Sequence, residues 1–365
     1  MFPVKIENHL YRIPSRSVQG NSTHIFREYE YIITKTTFNN GIEGIGYTYT
    51  QGNGGTAIIR LLEDYFCKSV INDKITAPIE LRKKIWDYTY AFGLEGLSRL
   101  AYAALDTSFY DAAAKERGVP LYMYLGGNED ARIRTYRSAI DLNMSMKELT
   151  DDIRKFKNQN YSVFKIKVGK GNFKEDIERI DAVREIIGDE SKLMVDANRR
   201  WSTKEAIKNG KELQKRDVFW LEEPIESDLL EDYSFLRNKL DILVAAGESL
   251  YNGFEMEHFL KMRCADISQI DVLRAGGIYE WMRLANLANS FGMNVAPHFT
   301  EEIAIQVLCA TPNALFLEHL PGSNLRDSGL MKEPFEIKDG YAYPRKEPGN
   351  GIDFKWEKLE KYMVL

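Results

Sequence analysis

The first residues whose side chains could take part in a reaction are two lysines in a strand-like run, FKIKVG, at residues 164–169. Side chains of a strand alternate between its two faces, so Lys165 and Lys167 share one face and the apolar residues share the other. Two ammonium groups on one buried face cost free energy unless anions lie close to them. A K-x-K pattern by itself is also typical of a charged edge strand that blocks aggregation. The lysine pair therefore predicts a reactive site only if acidic groups accompany it.

Acidic groups stand at the ends of a series of short apolar runs that follows the lysines. The series is regular, because successive ionisable residues are 20 to 29 positions apart. A single acid after an apolar run is often a helix N-cap, but chance capping does not explain six in a row. Each run therefore delivers one reactive group. The six groups are Asp196, Glu222, Glu248, Asp271, His298 and Glu318.

Three carboxylates of this series, on consecutive runs, predict a metal site. Asp196, Glu222 and Glu248 would repel one another unless a cation binds between them. Oxygen ligands on rigid strands, with positions left for water and substrate, suit Mg²⁺. We therefore expect one Mg²⁺ per chain at these three residues.

The remaining groups fit a pair of proton-transferring bases. Lys167 and His298 stand far apart in the series and are expected to face opposite sides of a bound substrate. Asp271, one run before the histidine, is placed to orient the imidazole and raise its basicity. A metal with two bases fits removal of a proton alpha to a carboxylate, because cations stabilise the dianion that forms. Lys165 is expected to hold that carboxylate, and Glu318 to hydrogen-bond it as a protonated or shared acid.

The spacing of the reactive groups predicts the fold that positions them. From Arg132 onward, strand-like and helix-like runs alternate at roughly 25-residue spacing. Capping boxes at Ser145 and Ser202 open two helices, and Gly188 and Gly292 close two others. Eight such strands predict a closed (β/α)₈ barrel of the TIM type, whose site lies at the carboxyl ends of the strands. The acids and bases stand at those ends.

The first part of the chain predicts a separate α+β domain. Three β-rich runs fill residues 1–50, with a turn at Asn39–Gly41 between the last two, and three helical patterns follow. The tail from Lys332, with IKDGYAY and a final helical run, is expected to return to this domain. The predicted parts are a capping domain at 1–125, the barrel at 126–330 and a C-terminal segment at 331–365 that completes the cap.

Composition places the chain among soluble globular proteins with a large core. Hydrophobic residues make up 44% of the chain and charged residues 28%. A net charge of −5 argues against nucleic acid or an anionic membrane as the main partner. No apolar run reaches membrane-spanning length, and none resembles a signal peptide. Three cysteines without metal-like spacing favour free thiols in a reducing cytoplasm. We expect a cytoplasmic homo-oligomer, between a dimer and an octamer, that acts on a small-molecule carboxylate.

The motifs together resemble the enolase superfamily, in its mandelate racemase subgroup, over essentially the whole chain. The resemblance rests on KIK, VDAN, EEP, GE, an aspartate before AGG, PHF and a final glutamate. It implies a modified, enolase-like barrel with Mg²⁺ at the three acids. It also implies acid/base roles for Lys167 and His298, with Asp271 supporting the histidine. The muconate-lactonizing subgroup instead places a lysine on the sixth strand, where this chain has Asp271 and Arg274.

The resemblance also implies where specificity lies. In this family the N-terminal domain covers the barrel and supplies loops, which here correspond to residues 15–24 and 51–55. Both stretches are polar, which fits a hydroxylated or doubly charged substrate. The residues expected to bind substrate are Arg16, His24, Asn198, Lys165 and Glu318.

Three functions are compatible with these features. Family members share the first proton abstraction; dehydratases then expel a β-hydroxyl to give a 2-keto-3-deoxy acid, whereas racemases and epimerases reprotonate the other face. A barrel that binds acids without turnover is disfavoured, because every expected acid, base and metal position is filled. We favour dehydration of an aldarate or aldonate, since polar loops do not fit an aryl substrate. The run PHFTEEI is also similar to the PHF-x-x-EI run of galactarate and talarate dehydratases.

Overall fold

The N-terminal domain is built on a three-stranded antiparallel sheet. The computed structural model describes residues 1–75 and 77–365, without the side chains of residues 16–18. The sheet has the order β1-β2-β3, and the predicted turn at 39–41 joins its last two strands. The three strands are β1 (Pro3–Gly20), β2 (Ile25–Phe38) and β3 (Glu43–Thr50).

The polar stretch at 15–24 is largely strand, in contrast to the loop expected from its composition. β2 is long enough for its first residues, Ile25 and Phe26, to pair with Gly20 and Gln19 at the end of β1. The backbone groups of a polar segment are satisfied as well by a ladder as by water, so composition alone did not reveal the pairing. Only residues 21–24 form the connection.

The helices of the capping domain follow the predicted patterns, with one interruption. The first pattern, at 56–67, is divided by a π-helical turn at Leu62–Phe66. The helices are α1 (Gly55–Leu61), α2 (Cys67–Val70), α3 (Pro78–Tyr88), α4 (Leu97–Glu116) and α5 (Leu121–Tyr124).

Strand β3 packs on α4 through one face and turns its other face to the barrel. Its sequence alternates small and large residues, so Gly44 and Gly46 share the face that meets α4. A Cβ atom on either glycine would collide with a backbone carbonyl of α4. The two glycines therefore allow a close approach of helix and strand, and Tyr47 and Tyr49 on the opposite face point toward the barrel, where their hydroxyls find partners.

The second domain is a closed barrel of eight parallel strands, as predicted. The ring closes because β11 pairs with β4, and Val295 at the end of β10 bridges to Ala314 just before β11. The strands are β4 (Ile133–Arg137), β5 (Val163–Lys167), β6 (Lys192–Asp196), β7 (Val218–Glu222), β8 (Leu243–Ala246), β9 (Ile267–Ser268), β10 (Asn294–Val295) and β11 (Leu317–His319).

Seven helices alternate with these strands and cover the outside of the barrel. Ser145 and Ser202 form the predicted capping boxes, and Gly188 follows the end of its helix at a φ of 73°. The helices are α6 (Met146–Lys157), α7 (Phe173–Ile187), α8 (Thr203–Gln214), α9 (Leu230–Arg237), α10 (Gly253–Lys261), α11 (Ile278–Ser290) and α12 (Glu301–Leu308).

The barrel interior is filled by an apolar layer to which every strand region contributes one residue. The layer consists of Tyr136, Val163, Met194, Trp220, Ala245, Ile267, Ala296 and Phe316. Because side chains alternate along a strand, the residue two positions further on points into the barrel one layer higher. In five of these strand regions that residue is ionisable, namely Lys165, Asp196, Glu222, His298 and Glu318. The apolar layer is therefore the floor on which the ionisable groups stand.

After β11 the chain departs from an ideal eight-helix barrel. The helix after the last barrel strand, α13 (Leu325–Ser328), has a single turn and does not cover the barrel as the other helices do. This agrees with the expected modified barrel. A hairpin and a short helix complete the chain, with a 3₁₀ turn at Glu360–Tyr362. These elements are β12 (Glu336–Lys338), β13 (Tyr341–Tyr343) and α14 (Trp356–Leu359).

The two halves of the tail go to different domains. Strand β13 pairs with Ile133 and Arg134 of the barrel, because these residues precede the pairing of β4 with its ring neighbours and offer free backbone groups. The IKDGYAY segment was expected to join the cap, but it pairs with the barrel instead. The last residues do return to the cap, since Leu10 of β1 hydrogen-bonds the backbone of Val364 and Leu365. Within the described residues, no helix has the length and apolarity needed to cross a membrane.

The contact between β3 and α4 predicts a stability effect. Gly46→Ala should lower the free energy of unfolding by about 1–3 kcal/mol, because the new Cβ atom has no room against Ala104 and the sheet must shift. Chemical denaturation measures the change. The control is Gly171→Ala, where a Cβ atom meets nothing within 4 Å, and which should stay within about 0.5 kcal/mol of the parent. Equal stability of the two variants would contradict the proposed close packing.

Candidate active site

A cavity of about 80 Å³ lies at the carboxyl ends of the barrel strands, beneath the capping domain. The cap lines it with both polar and aromatic side chains, and the barrel contributes most of the charged ones. From the cap come Asn21, His24, Phe26, Tyr29 and Gln51. From the barrel come Ile140, Lys167, Asn198, Arg199, Glu223, Glu248, Arg274, His298, Phe299, Glu318 and Leu320.

Lys165 is buried at the base of this region between two carboxylates. Its Nζ lies 2.6 Å from Glu222 Oε1 and 2.8 Å from Glu318 Oε1, which come from strands on either side of it in the ring. Burial lowers the pKa of Lys165, but these carboxylates outweigh burial and hold it well above its ordinary value. Burial raises the pKa of Glu318, yet Lys165, His298 and Lys167 together bring it below the ordinary range. This arrangement favours the ionised form of Glu318, and its role as a protonated or shared acid toward a substrate stays a prediction.

Lys167 forms an ion pair with Asp196 on the neighbouring strand. The strand register places the two residues directly side by side, which confirms that they share a face. Burial lowers the pKa of Lys167, but Asp196 more than offsets this and raises it. Burial and the charge of Asp196 raise the pKa of Glu222 well above its ordinary value, although Lys165 opposes them. Asp196 and Glu222 thus lie so close together that charging one carboxylate makes it harder to charge the other.

Glu248, the third predicted metal ligand, has other partners. Its Oε1 lies 3.2 Å from Arg274 Nη1 and 3.5 Å from His298 Nε2. The residue comes one position later than strand alternation requires, because Gly247 at a φ of 125° breaks the strand before it. In the described part of the chain, no three His, Cys, Asp or Glu side chains converge as placed on one metal position.

The donor set nevertheless fits a hard divalent cation. Glu222 Oε2 is buried without a hydrogen-bond partner, beside the ionised Asp196, and an orphaned carboxylate oxygen is costly unless a cation reaches it. Asn198 Oδ1 is also buried and without a partner. Oxygen-only donors of this kind suit Mg²⁺ better than a softer metal.

His298 and Asp271 form the predicted pair. His298 Nδ1 lies 2.8 Å from Asp271 Oδ2, while Asp271 Oδ1 accepts the backbone N–H groups of Leu273 and Arg274 at 2.8 and 2.9 Å. Burial raises the pKa of Asp271, but the hydrogen bond and charge of His298 bring it below the ordinary value. An ionised Asp271 fixes the imidazole with Nδ1 as donor, which leaves Nε2 available to exchange a proton.

Several residues at this end of the barrel have left-handed backbone conformations. Asn198 and Arg199 follow β6 at φ values of 45° and 62°, and Glu223 follows β7 at 37°. Phe299 and Thr300, directly after His298, have φ values of 50° and 44°. Such conformations are unfavourable for residues with a Cβ, above all for a β-branched threonine, and they concentrate at functional sites.

The predicted substrate-binding residues are placed unevenly. Asn198 lines the cavity and donates from Nδ2 to Asp196 at 3.2 Å. His24 also lines it, with its Nδ1 2.8 Å from the hydroxyl of Thr23. The side chain of Arg16 lies outside the described residues, so its role stays a prediction. Lys165 lies below the cavity lining, whereas Glu318 reaches it.

Three residues of the site were not identified from the sequence. Glu223, the second acid of EEP, faces the cavity and is 1% exposed, and burial together with Glu248 holds its pKa well above the ordinary value. Arg274 binds Glu248, and Tyr49 of the cap reaches Asp271. The doubled acid of EEP was a usable signal for the first, whereas no local signal showed that Tyr49 faces the barrel.

Fold and site together define a class of protein. A closed barrel gathers two lysines, a histidine–aspartate pair and further carboxylates at the carboxyl ends of its strands, under an α+β cap. This is a TIM-barrel enzyme built to move protons.

The family follows from comparison with known proteins. Residues 12–126 match the model of the mandelate racemase / muconate lactonizing enzyme N-terminal domain, and residues 148–358 match the enolase C-terminal domain-like model. The chain therefore belongs to the mandelate racemase / muconate lactonizing enzyme family of the enolase superfamily.

Its relatives include enzymes of more than one reaction type. The L-talarate/galactarate dehydratase of Salmonella typhimurium is 30% identical over 88% of this chain and 79% of its own length. The structure of that enzyme liganded with Mg and L-lyxarohydroxamate has a TM-score of 0.93, covering 99% of this chain and 92% of that one. The 3,6-anhydro-alpha-L-galactonate cycloisomerase of Streptomyces coelicolor is 29% identical over 99% of both chains. A racemase from Streptomyces coelicolor A3(2), solved with bound magnesium, is 26% identical with a TM-score of 0.94 over both full chains.

The orphaned oxygen of Glu222 predicts a metal dependence. Mg²⁺ should raise the melting temperature, because a ligand that binds the native state stabilises it by mass action. At a Mg²⁺ concentration one hundred times its Kd, the free energy of unfolding should rise by about 2.7 kcal/mol. Glu222→Gln should abolish that rise and weaken binding in titration calorimetry. Glu190→Gln, at an exposed acid of the same charge, is the control and should bind like the parent. Equal Mg²⁺ affinity in Glu222→Gln and the parent would exclude Glu222 as a ligand.

Proposed function

We propose that this protein is a Mg²⁺-dependent dehydratase of acid sugars, which converts an aldarate or aldonate into a 2-keto-3-deoxy acid. The observation that carries the proposal is a cavity lined by two proton-transferring groups from separate strands. Lys167 enters it from β5, and His298 enters it after β10, three strands away around the ring. The site beneath them has the charges needed to hold a carboxylate.

The substrate carboxylate binds beside Lys165, whose ammonium group is buried and positively charged. As the α-proton leaves, negative charge develops on that carboxylate, and a fixed cation in a dry site stabilises it strongly. The chemistry that Mg²⁺ supplies, when bound by Asp196, Glu222 and Glu248, is further positive charge for this step. Lys167 and His298 are the two bases, and the stereochemistry of the substrate decides which one takes the proton.

Dehydration then proceeds by elimination. The electrons of the broken α-carbon–hydrogen bond form a double bond to the β-carbon, and the β-carbon–oxygen bond breaks. A proton from the imidazolium of His298 converts the departing hydroxide into water. The enol that remains tautomerises to the 2-keto-3-deoxy acid. Asp271 holds the imidazole in position for this transfer and is itself a positioning residue.

The cavity lining supports a hydroxylated substrate. The cap presents Asn21, His24 and Gln51, which offer amide and imidazole groups to sugar hydroxyls. Phe26 and Tyr29 form an apolar wall beside them, large enough to contact carbon-bound hydrogens of a sugar chain. Epimerisation of a 2-hydroxy acid is the second candidate, since two bases on separate strands are also what that reaction requires.

We also propose that the enzyme is cytoplasmic and homo-oligomeric. Cys67, Cys264 and Cys309 are all free thiols, which fits a reducing compartment. The cap carries exposed aromatic side chains around α3, including Tyr90 at 94% exposure and Phe92 at 50%. Exposed apolar groups of this kind favour association between copies of a chain.

The reaction is tested with a panel of acid sugars in the presence of Mg²⁺. At least one aldarate or aldonate with a β-hydroxyl should yield a keto acid that semicarbazide detects. Ala substitution of Lys167 or Asn substitution of His298 should lower the rate on that substrate by roughly 10²–10⁴-fold. If no member of the panel gives keto acid while a 2-hydroxy acid lacking a β-hydroxyl is racemised, epimerisation is the correct function.

The two-base arrangement predicts a split in isotope exchange. In D₂O, His298→Asn should still exchange the α-proton of a substrate whose proton faces Lys167, and should lose exchange with the C2 epimer. Lys167→Ala should show the reverse, because each base reaches only one face of the α-carbon. Nuclear magnetic resonance of the α-proton measures both rates. Equal loss with both epimers in both variants would contradict the assignment of the bases to opposite faces.

A further inference from the structure

The histidine–aspartate pair has a third member that comes from the other domain. Tyr49 of β3 donates from its hydroxyl to Asp271 Oδ2 at 2.7 Å, and this is the same oxygen that lies 2.8 Å from His298 Nδ1. Tyr49 is 3% exposed, and its ring packs on Phe299, the residue after the histidine, with ring centroids 4.8 Å apart.

Tyr49 is held in this place by the packing of the cap. The glycines on the opposite face of β3 let the strand lie directly on α4, so the strand has little freedom to move. Its hydrogen-bond ladder with β2 runs from Glu43 to Thr50 and includes Tyr49. The phenol is therefore delivered to Asp271 by a rigid sheet and not by a loop.

The hydrogen bonds of Asp271 show what the phenol contributes. Oδ1 accepts two backbone N–H groups from Leu273 and Arg274. Oδ2 accepts from His298 and Tyr49, so both oxygens are doubly engaged and the carboxylate plane is fixed from four directions. Burial raises the pKa of Tyr49 well above its ordinary value, so it remains a phenol and a donor.

We propose that Tyr49 is a positioning residue for the base His298, which it orients through Asp271. A Tyr–Asp–His relay that crosses the boundary between cap and barrel sets the imidazole for proton transfer on one face of the substrate. Lys167 belongs to a different strand and does not depend on this relay. The cap thus contributes to proton transfer as well as to substrate contact. The inference rests on the proposed function, because it assigns the two bases to separate faces.

The test compares Tyr49→Phe with Tyr47→Phe. Phe at position 49 keeps the ring that packs on Phe299 and removes only the hydroxyl. Tyr47 is the matched control: it lies two residues earlier on the same face, is 1% exposed, and its hydroxyl binds Glu302 at 3.1 Å and not Asp271. Both substitutions remove one buried hydroxyl from one strand.

The measured quantity is a ratio of α-proton exchange rates in D₂O for two C2-epimeric acid sugars. One epimer is deprotonated by His298 and the other by Lys167, as assigned with the Asn and Ala variants of these bases. Tyr49→Phe should lower the ratio of histidine-dependent to lysine-dependent exchange by about tenfold, as expected for loss of a hydrogen bond to a charged group. Tyr47→Phe should leave the ratio unchanged. A ratio within twofold of the parent in Tyr49→Phe, or an equal fall in Tyr47→Phe, overturns the inference.

A second readout separates this inference from the proposed function. If no acid sugar exchanges its α-proton, the proposed function is wrong, and ¹⁵N resonances of His298 decide about Tyr49 instead. The chain has five histidines, so His298→Asn identifies its signals. In the parent, Nδ1 should carry the proton of the neutral ring. A mixture of tautomers in Tyr49→Phe alone supports the relay, and an unchanged tautomer in that variant overturns it.

Discussion

The structure depends on the burial of two ammonium groups on one strand. Lys165 and Lys167 are 1% and 7% exposed, and neither charge is tolerable in the barrel without a carboxylate within a few ångströms. The acids at the ends of the neighbouring strands supply that compensation. Conversely, Asp196 and Glu222 would repel each other without the lysines. Neither half of the cluster is stable alone, so the barrel closes around charges that compensate one another.

Strand alternation explains which parts of the site were predictable. Lys165, Asp196, Glu222 and Glu318 each follow a residue of the apolar layer by two positions, so a period of two places them together. Barrel closure makes sequence neighbours into spatial neighbours, and for this reason the regular spacing indicated a single site. The capping boxes were equally local signals, and the structure confirms them.

The failures of prediction occur where local pattern does not determine geometry. Glu248 follows a glycine with positive φ, so alternation no longer predicts where it points. The pKa of Glu318 depends on Lys165, which is 153 positions away in the chain but 2.8 Å away in space, so its direction could not be predicted locally. Strand alternation places Gly46 and Tyr47 on opposite faces of β3, but no feature of the nearby sequence indicates which of these faces meets the barrel. The hairpin at β13 joined the barrel because of free backbone groups on β4, a property that only the ring register creates.

The AGG turn after Asp271 shows how cap and barrel are coupled. Its two glycines have φ values of 105° and 101°, and a Cβ atom on Gly276 or Gly277 would collide with Arg99 or Asp106 of α4. Arg99 donates to the carbonyl of Ala275 at 2.9 Å, and Asp106 accepts the N–H of Ile278 at 2.6 Å at the start of α11. The motif is therefore one of the places where the cap is bonded to the barrel, and it lies within seven residues of Asp271. With the hydroxyl of Tyr49 on the carboxylate itself, the cap holds this segment from two elements at once. Any displacement of the cap at this point must then disturb the histidine's partner, whereas the side chain of Lys167 pairs with Asp196 on the neighbouring barrel strand.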